Sequence, residues 1–151
     1  GKSSTTLTLS NDKIVGATIK AKKGVNNIEF TDTVIKSSEV KGGNSQELII
    51  VEEGTKLIGE NKFKLGKKND SVTISGFIKT LTINNGRDSD KDIITIDSYE
   101  LIKKKLTINK FGKEDRLLIE GEVFKYKDLN NQQTDNDLQA LGIVVDTIAS
   151  K

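Results

Sequence analysis

The sequence predicts an all-β protein: a right-handed parallel β-solenoid of five to six coils, about 22 residues each, with a C-terminal cap that contains a short helix. Three observations predict it. A degenerate motif recurs five times, through residues 19–30, 40–51, 63–74, 81–96 and 106–119. Inside each copy apolar residues alternate with polar ones, the period of a strand and not of a helix. Each copy also carries a further apolar doublet, so every coil has three apolar stations.

The copies align on a polar anchor two places before the outgoing strand: Asn26, Glu47, Asp70, Asp92 and Asp115. Their near-constant spacing sets the coil length. The outgoing pairs are Ile28/Phe30, Ile49/Val51, Val72/Ile74, Ile94/Ile96 and Leu117/Ile119. Residues i and i+2 of a strand share a face, so these ten are assigned to the interior. Incoming strands are marked by Phe63/Leu65, Leu81/Ile83 and Leu106/Ile108, with Ile19 and Val40 as shorter equivalents. A glycine precedes each anchor and reads as a turn residue that supplies positive φ. The doublets run from Ile14-Val15 to Val123-Phe124 and suggest a corner, a bulge or a short third face, since neighbours in a regular strand cannot both face inward. Coils stacked at about 4.8 Å would make a rod of roughly 25–30 Å. Right-handed connections are expected by analogy with parallel crossovers.

The chain reads as a single domain. Residues 1–16 form a partial first coil containing Leu7, Leu9 and Ile14; residues 17–125 form the repeat coils; residues 126–151 form the cap. In the cap, Thr134 or Asp135 is a plausible N-cap, Gly142 ends the helix, and residues 143–148 make a last strand.

Composition narrows the function. There is no Cys and no His, which removes disulfides, thiolate sites, the commonest metal ligand and the commonest general base. No nucleophile–base pair can be assembled, so a non-enzymatic role is expected. There is no Met and the sequence begins at Gly1, which points to a processed piece of a longer chain. No apolar run is long enough for a membrane span. The formal net charge is +2, and two residues, Arg87 and Arg116, supply all the arginine. That balance argues against a nucleic-acid partner.

The Gly-led corners resemble the glycine- and aspartate-rich repeats of the secreted bacterial RTX (hemolysin-type) β-roll family. That family's nonapeptide is G-G-x-G-x-D-x-U-x, with U a large apolar residue. The matching pieces are Gly42-Gly43-Asn44-Ser45-Gln46-Glu47-Leu48-Ile49, Gly66 through Val72, Gly86 through Ile94, and Gly112 through Leu117. No copy has the full motif, and the second glycine is mostly lost. The resemblance implies a secreted protein whose corners chelate Ca²⁺. Here lysines crowd the corners instead, so two readings stand side by side: Lys–carboxylate ladders in place of calcium, or ordinary solvated charge. One corner, Asp88, Asp90 and Asp92, keeps a D-x-D-x-D spacing and is the candidate Ca²⁺ site.

The function expected on these grounds is a secreted or cell-surface structural subunit: a filament, matrix, stalk or adhesin module. A solenoid with an uncapped N-terminal edge invites end-to-end self-association through Leu7, Leu9 and Ile14. The alternative is a calcium- or polysaccharide-binding module of a larger secreted protein.

Overall fold

A computed structural model describes residues 4–23, 25–86 and 89–148. It is a β-solenoid of about five turns, its coils stacked in parallel, with a short C-terminal helix.

Each coil contributes to two sheets. The first sheet collects the outgoing strands: β1 (Ser4–Ser10), β4 (Val25–Thr31), β7 (Glu47–Val51), β9 (Ser71–Ile74), β11 (Ile93–Ile96) and β13 (Arg116–Ile119), in that spatial order. The second sheet collects the doublets and the incoming strands. In the first two coils these are separate strands: β2 (Lys13–Val15) and β3 (Thr18–Lys20), then β5 (Val34–Lys36) and β6 (Glu39–Lys41). In later coils they fuse into β8 (Lys56–Lys64), β10 (Phe77–Asn84) and β12 (Ile102–Phe111). The register shifts where the two halves join, between Ile78 and Thr80 on β10. The doublet is therefore a third arm bent away from the incoming strand. Left-handed residues make the bend in successive coils: Gly16 (φ 59°), Ser37 (φ 49°) and Gly59 (φ 71°). The first coil runs through all three arms to Lys20 and so extends past residue 16.

The register bears out the inward assignment. Leu7, Ile28, Ile49, Val72, Ile94 and Leu117 pair in succession along the first sheet. Phe30, Val51, Ile74, Ile96 and Ile119 form the parallel column beside them. In the doublets one member faces inward, giving the column Ile14, Ile35, Leu57, Ile78 and Ile102. These columns make one core, in which each coil buries apolar side chains against its two neighbours. That arrangement is how a chain with 34% hydrophobic residues holds a continuous buried core.

Two details depart from the sequence reading. Gly42, Gly43 and Gly66 are not in the left-handed region. They are needed because coils approach closely there: a Cβ on Gly66 would run into the Gly43 carbonyl of the preceding coil. The doublet Val123-Phe124 is not a sixth parallel corner. Glu120 (φ 52°) and Gly121 (φ 80°) form a tight turn with positive φ at both central residues, the geometry of a hairpin. The chain reverses into β14 (Glu122–Lys125), antiparallel to β13.

The cap follows. Helix α1 spans Tyr126–Leu129 and α2 spans Gln132–Ala140. Helix α2 begins three residues earlier than the sequence suggests, because the Asn131 side chain accepts from the N–H groups of Gln133 (3.0 Å) and Thr134 (3.2 Å). Gly142 (φ 83°) ends the helical segment, and β15 (Ile143–Thr147) pairs in parallel with β12. The cap thus supplies the second-sheet strand that the last coil would otherwise lack.

Candidate functional site

Two regions of the solenoid carry features beyond packing: the column of anchors inside the corner, and the N-terminal end.

The anchors are interior residues. Asn26, Glu47, Asp70, Asp92 and Asp115 are all buried, with Asp92 and Asp115 at 0% exposure. Each of the last three accepts a hydrogen bond from the main chain of the preceding coil. The Glu47 N–H donates to Asp70 Oδ1 (2.8 Å), the Asp70 N–H to Asp92 Oδ1 (3.0 Å), and the Asp92 N–H to Asp115 Oδ1 (2.9 Å). Within its own coil, Glu47 Oε1 accepts from the Gly43 N–H at 3.0 Å, and Asp115 Oδ2 from the Gly112 N–H at 2.8 Å. The result is a spine from Glu47 to Asp115 in which a side-chain oxygen, in place of a main-chain carbonyl, accepts the N–H of Glu47, Asp70 and Asp92. Buried N–H groups need such a partner, and a carboxylate supplies a strong one.

Four carboxyl groups in one buried column cannot all be charged without penalty. Burial pushes the Glu47 carboxyl up from its ordinary value. Burial pushes Asp70 up to about 9, with repulsion from Glu47 and Asp92 added and the Glu47 N–H opposing it. Asp70 therefore keeps its proton at neutral pH. Glu47 Oε2 and Asp70 Oδ2 are both buried. The Asp70 and Glu47 carboxyls hydrogen-bond to each other, with protonated Asp70 the donor, and the Asn26 side chain also hydrogen-bonds to the Glu47 carboxyl. This answers the question of the corner charges differently from lysine ladders. Lys67 and Lys113 beside the corners are exposed, while main-chain N–H groups and a retained proton stabilise the anchors.

The candidate Ca²⁺ corner is divided by the same geometry. Asp92 belongs to the interior spine. Asp90 lies outside it and accepts from the Lys68 N–H at 2.9 Å, in the coil below. Asp88 lies outside the described residues. No group of three or more His, Cys, Asp or Glu is gathered as a metal site among the described residues.

At the N-terminal end, burial falls off along every column. Leu7 is 41% exposed, while its neighbours in register, Ile28 and Ile49, are 3% and 0% exposed. Leu9, Ile14 and Ile19 are half-buried and pack on the core from one side. A cleft of about 330 Å³ opens between β1 and β3, floored by Leu7, Ile19, Ala21 and Ile28 and edged by Lys20, Lys22 and Lys23. Among the described residues, strand β1 is the edge of its sheet, paired with β4 alone. The opposite end is closed: Phe124, Leu129, Leu138 and Val145 complete the core over the last coil. Leu7 and Leu9 on β1 and Ile14 on β2 all lie in this first coil.

Sequence reasoning missed the interior position of the anchors, although the signal was present. An anchor lies two residues before an inward residue, so it shares that residue's face. Asp70, Val72 and Ile74 are one inward row.

Comparison with protein-family models, with curated proteins and with solved structures finds no match to this chain. No helix among the described residues is long and apolar enough to cross a membrane.

Proposed function

We infer that this chain is a structural, non-catalytic β-solenoid that stacks end to end, in a secreted or cell-surface setting of the kind the RTX-like corners imply. The observation that carries the reading is the asymmetry of the ends: one closed by a cap, the other presenting, among the described residues, an unpaired strand edge and an apolar cleft. An open edge is a template for adding strands, and a head-to-tail contact between unlike surfaces propagates.

Charge supports a second copy as the occupant. Residues 4–23 carry Lys13, Lys20, Lys22 and Lys23 against Asp12 alone. The cap, residues 126–148, carries Asp128, Asp135, Asp137 and Asp146 against Lys127. The two ends are opposite in sign, which favours cap-to-edge contact over edge-to-edge contact.

The test compares wild type, a Leu7→Glu variant and a deletion of residues 1–10. Light scattering and electron microscopy at high concentration should show elongated species for wild type alone. Circular dichroism should show folded coils in all three. Wild type that stays monomeric at millimolar concentration would favour the isolated binding module instead.

A further inference from the structure

The near-neutral net charge conceals a strong segregation. The strands of the second sheet carry twelve lysines against three carboxylates, Glu39, Glu60 and Asp146. The strands of the first sheet carry two basic residues, Arg116 and Lys125, against Glu29, Glu122 and the interior Glu47. Most of the remaining carboxylates lie in the corners, the interior spine and the cap. The second-sheet side of the solenoid, across both of its arms, is therefore basic.

That side is also shaped. A groove of about 520 Å³ crosses five successive coils just beyond the bend between the doublet arm and the incoming strands. Thr18, Glu39, Lys62, Thr82 and Thr107 are in register along it, one from each coil. Lys20, Lys41 and Lys64 form an adjacent row on three neighbouring strands. Like charges stacked at about 4.8 Å repel one another. Glu39 offsets part of this, reaching Lys64 at 3.2 Å and Lys41 at 3.6 Å. Lys62 and Lys105 are exposed on the groove itself.

We propose that this groove binds a linear acidic polysaccharide, a uronate-type polymer lying parallel to the solenoid axis. Lys62 and Lys105 on the groove, with the row Lys20, Lys41 and Lys64 beside it, match the polymer's regularly spaced carboxylates. The threonine hydroxyls, with Glu39 and Glu60, match its sugar hydroxyls as donors and acceptors. A nucleic acid fits less well. Among the described residues that line the groove there is no aromatic ring for base stacking and no arginine for bidentate contact. The proposal is independent of end-to-end stacking, since it uses a side of the rod and not its ends.

The experiment measures binding of the full chain to polygalacturonate, to neutral dextran and to double-stranded DNA across a salt titration. Lys20→Ser/Lys62→Ser/Lys105→Ser is compared with Lys67→Ser/Lys113→Ser/Lys127→Ser, which changes net charge equally but away from the face. Polygalacturonate should bind at low salt and weaken as salt rises, while dextran should not bind. The face variant should bind about tenfold more weakly and the control variant within about twofold of wild type. Equal loss in both variants, no binding of polygalacturonate at low salt, or tighter binding of DNA would overturn the proposal. Lysine acetylation of wild type keeps the test decisive if the face variant misfolds. Bound polygalacturonate should protect Lys62 and Lys105 but not Lys67 and Lys113, and equal labelling of all four would refute the assignment.

Discussion

Asp70→Asn tests the interior spine directly, because asparagine is the neutral isostere of the protonated acid. The amide oxygen can keep the hydrogen bond from the Glu47 N–H, at 2.8 Å in the wild type. The amide N–H₂ can donate to the Glu47 carboxyl as the acid proton does. The two proteins should then differ in their response to pH and little else. Folded Asp70 holds its proton to about pH 9, whereas an unfolded aspartate releases it near 4. Between those values the folded state binds more protons than the unfolded state. The stability that this group contributes is fully present below the unfolded value and is lost as pH rises through the folded one. One proton gives a slope of at most about 1.4 kcal/mol per pH unit. From pH 6 to pH 8 the wild type should lose up to about 3 kcal/mol, a fall in Tm of about 6–12 °C for a domain of this size. Urea and thermal unfolding across pH 5 to 9 would measure it. Asp70→Asn should show a much flatter profile and should melt above wild type at pH 8 to 9. Parallel pH profiles for the two proteins would refute a retained proton. So would an Asp70→Asn variant as unstable at every pH as Asp70→Ala, which leaves the Glu47 N–H without its acceptor.

Three further outcomes follow from the geometry. Gly66→Ala places a methyl against the Gly43 carbonyl of the neighbouring coil, and overpacking of this kind costs about 1–3 kcal/mol, readable as a lower urea midpoint with unchanged m-value. Ile94→Ala empties a fully buried position between Val72 and Leu117 and should cost about 2–5 kcal/mol by the same measurement; a loss within about 0.5 kcal/mol of zero would contradict the stacked column. EDTA should leave the β-sheet circular dichroism and the melting temperature of wild type within a few degrees of a calcium-loaded sample, because main-chain N–H groups already occupy the spine carboxylates; collapse to a random-coil spectrum would restore a calcium-dependent corner.

The stacked columns were legible because a parallel solenoid repeats one local rule. A two-residue alternation names the inward face, and a fixed anchor spacing names the register, so Ile28, Ile49, Val72, Ile94 and Leu117 could be aligned from sequence alone. The hairpin at Glu120-Gly121 was not legible by that rule. Val123-Phe124 continues the apolar spacing of the doublets, and positive φ at Glu120, a residue with no marked preference for it, is what ends the stack. The start of α2 was missed because Asn131 and Thr134 are both sound N-cap types, and the choice depends on where α1 lets go. The role of the corner glycines was misassigned for a related reason. Close approach between coils is a property of the stack, and a single copy of the motif does not contain it.

The spine, the ends and the basic face together explain how so charged a chain can form a tightly stacked rod. A parallel stack repeats every outward residue about 4.8 Å from its counterpart, so any charged position in the motif threatens a row of like charges. The structure separates the signs to manage this. Carboxylates that must lie in register inside are stabilised by N–H donors and, at Asp70, by a proton. Lysines that lie in register outside are gathered on one sheet, where Lys20, Lys41 and Lys64 form a row and Glu39 pairs with the last two. A row of three cations with one counter-charge is costly unless solvent or another anion neutralises it. The first sheet, also in register, avoids the cost through neutral residues such as Ile50, Thr73, Thr95 and Leu118. The neutral row on the other side shows that stacking alone does not require the lysine row, which is why the polygalacturonate titration is the measurement that decides its role.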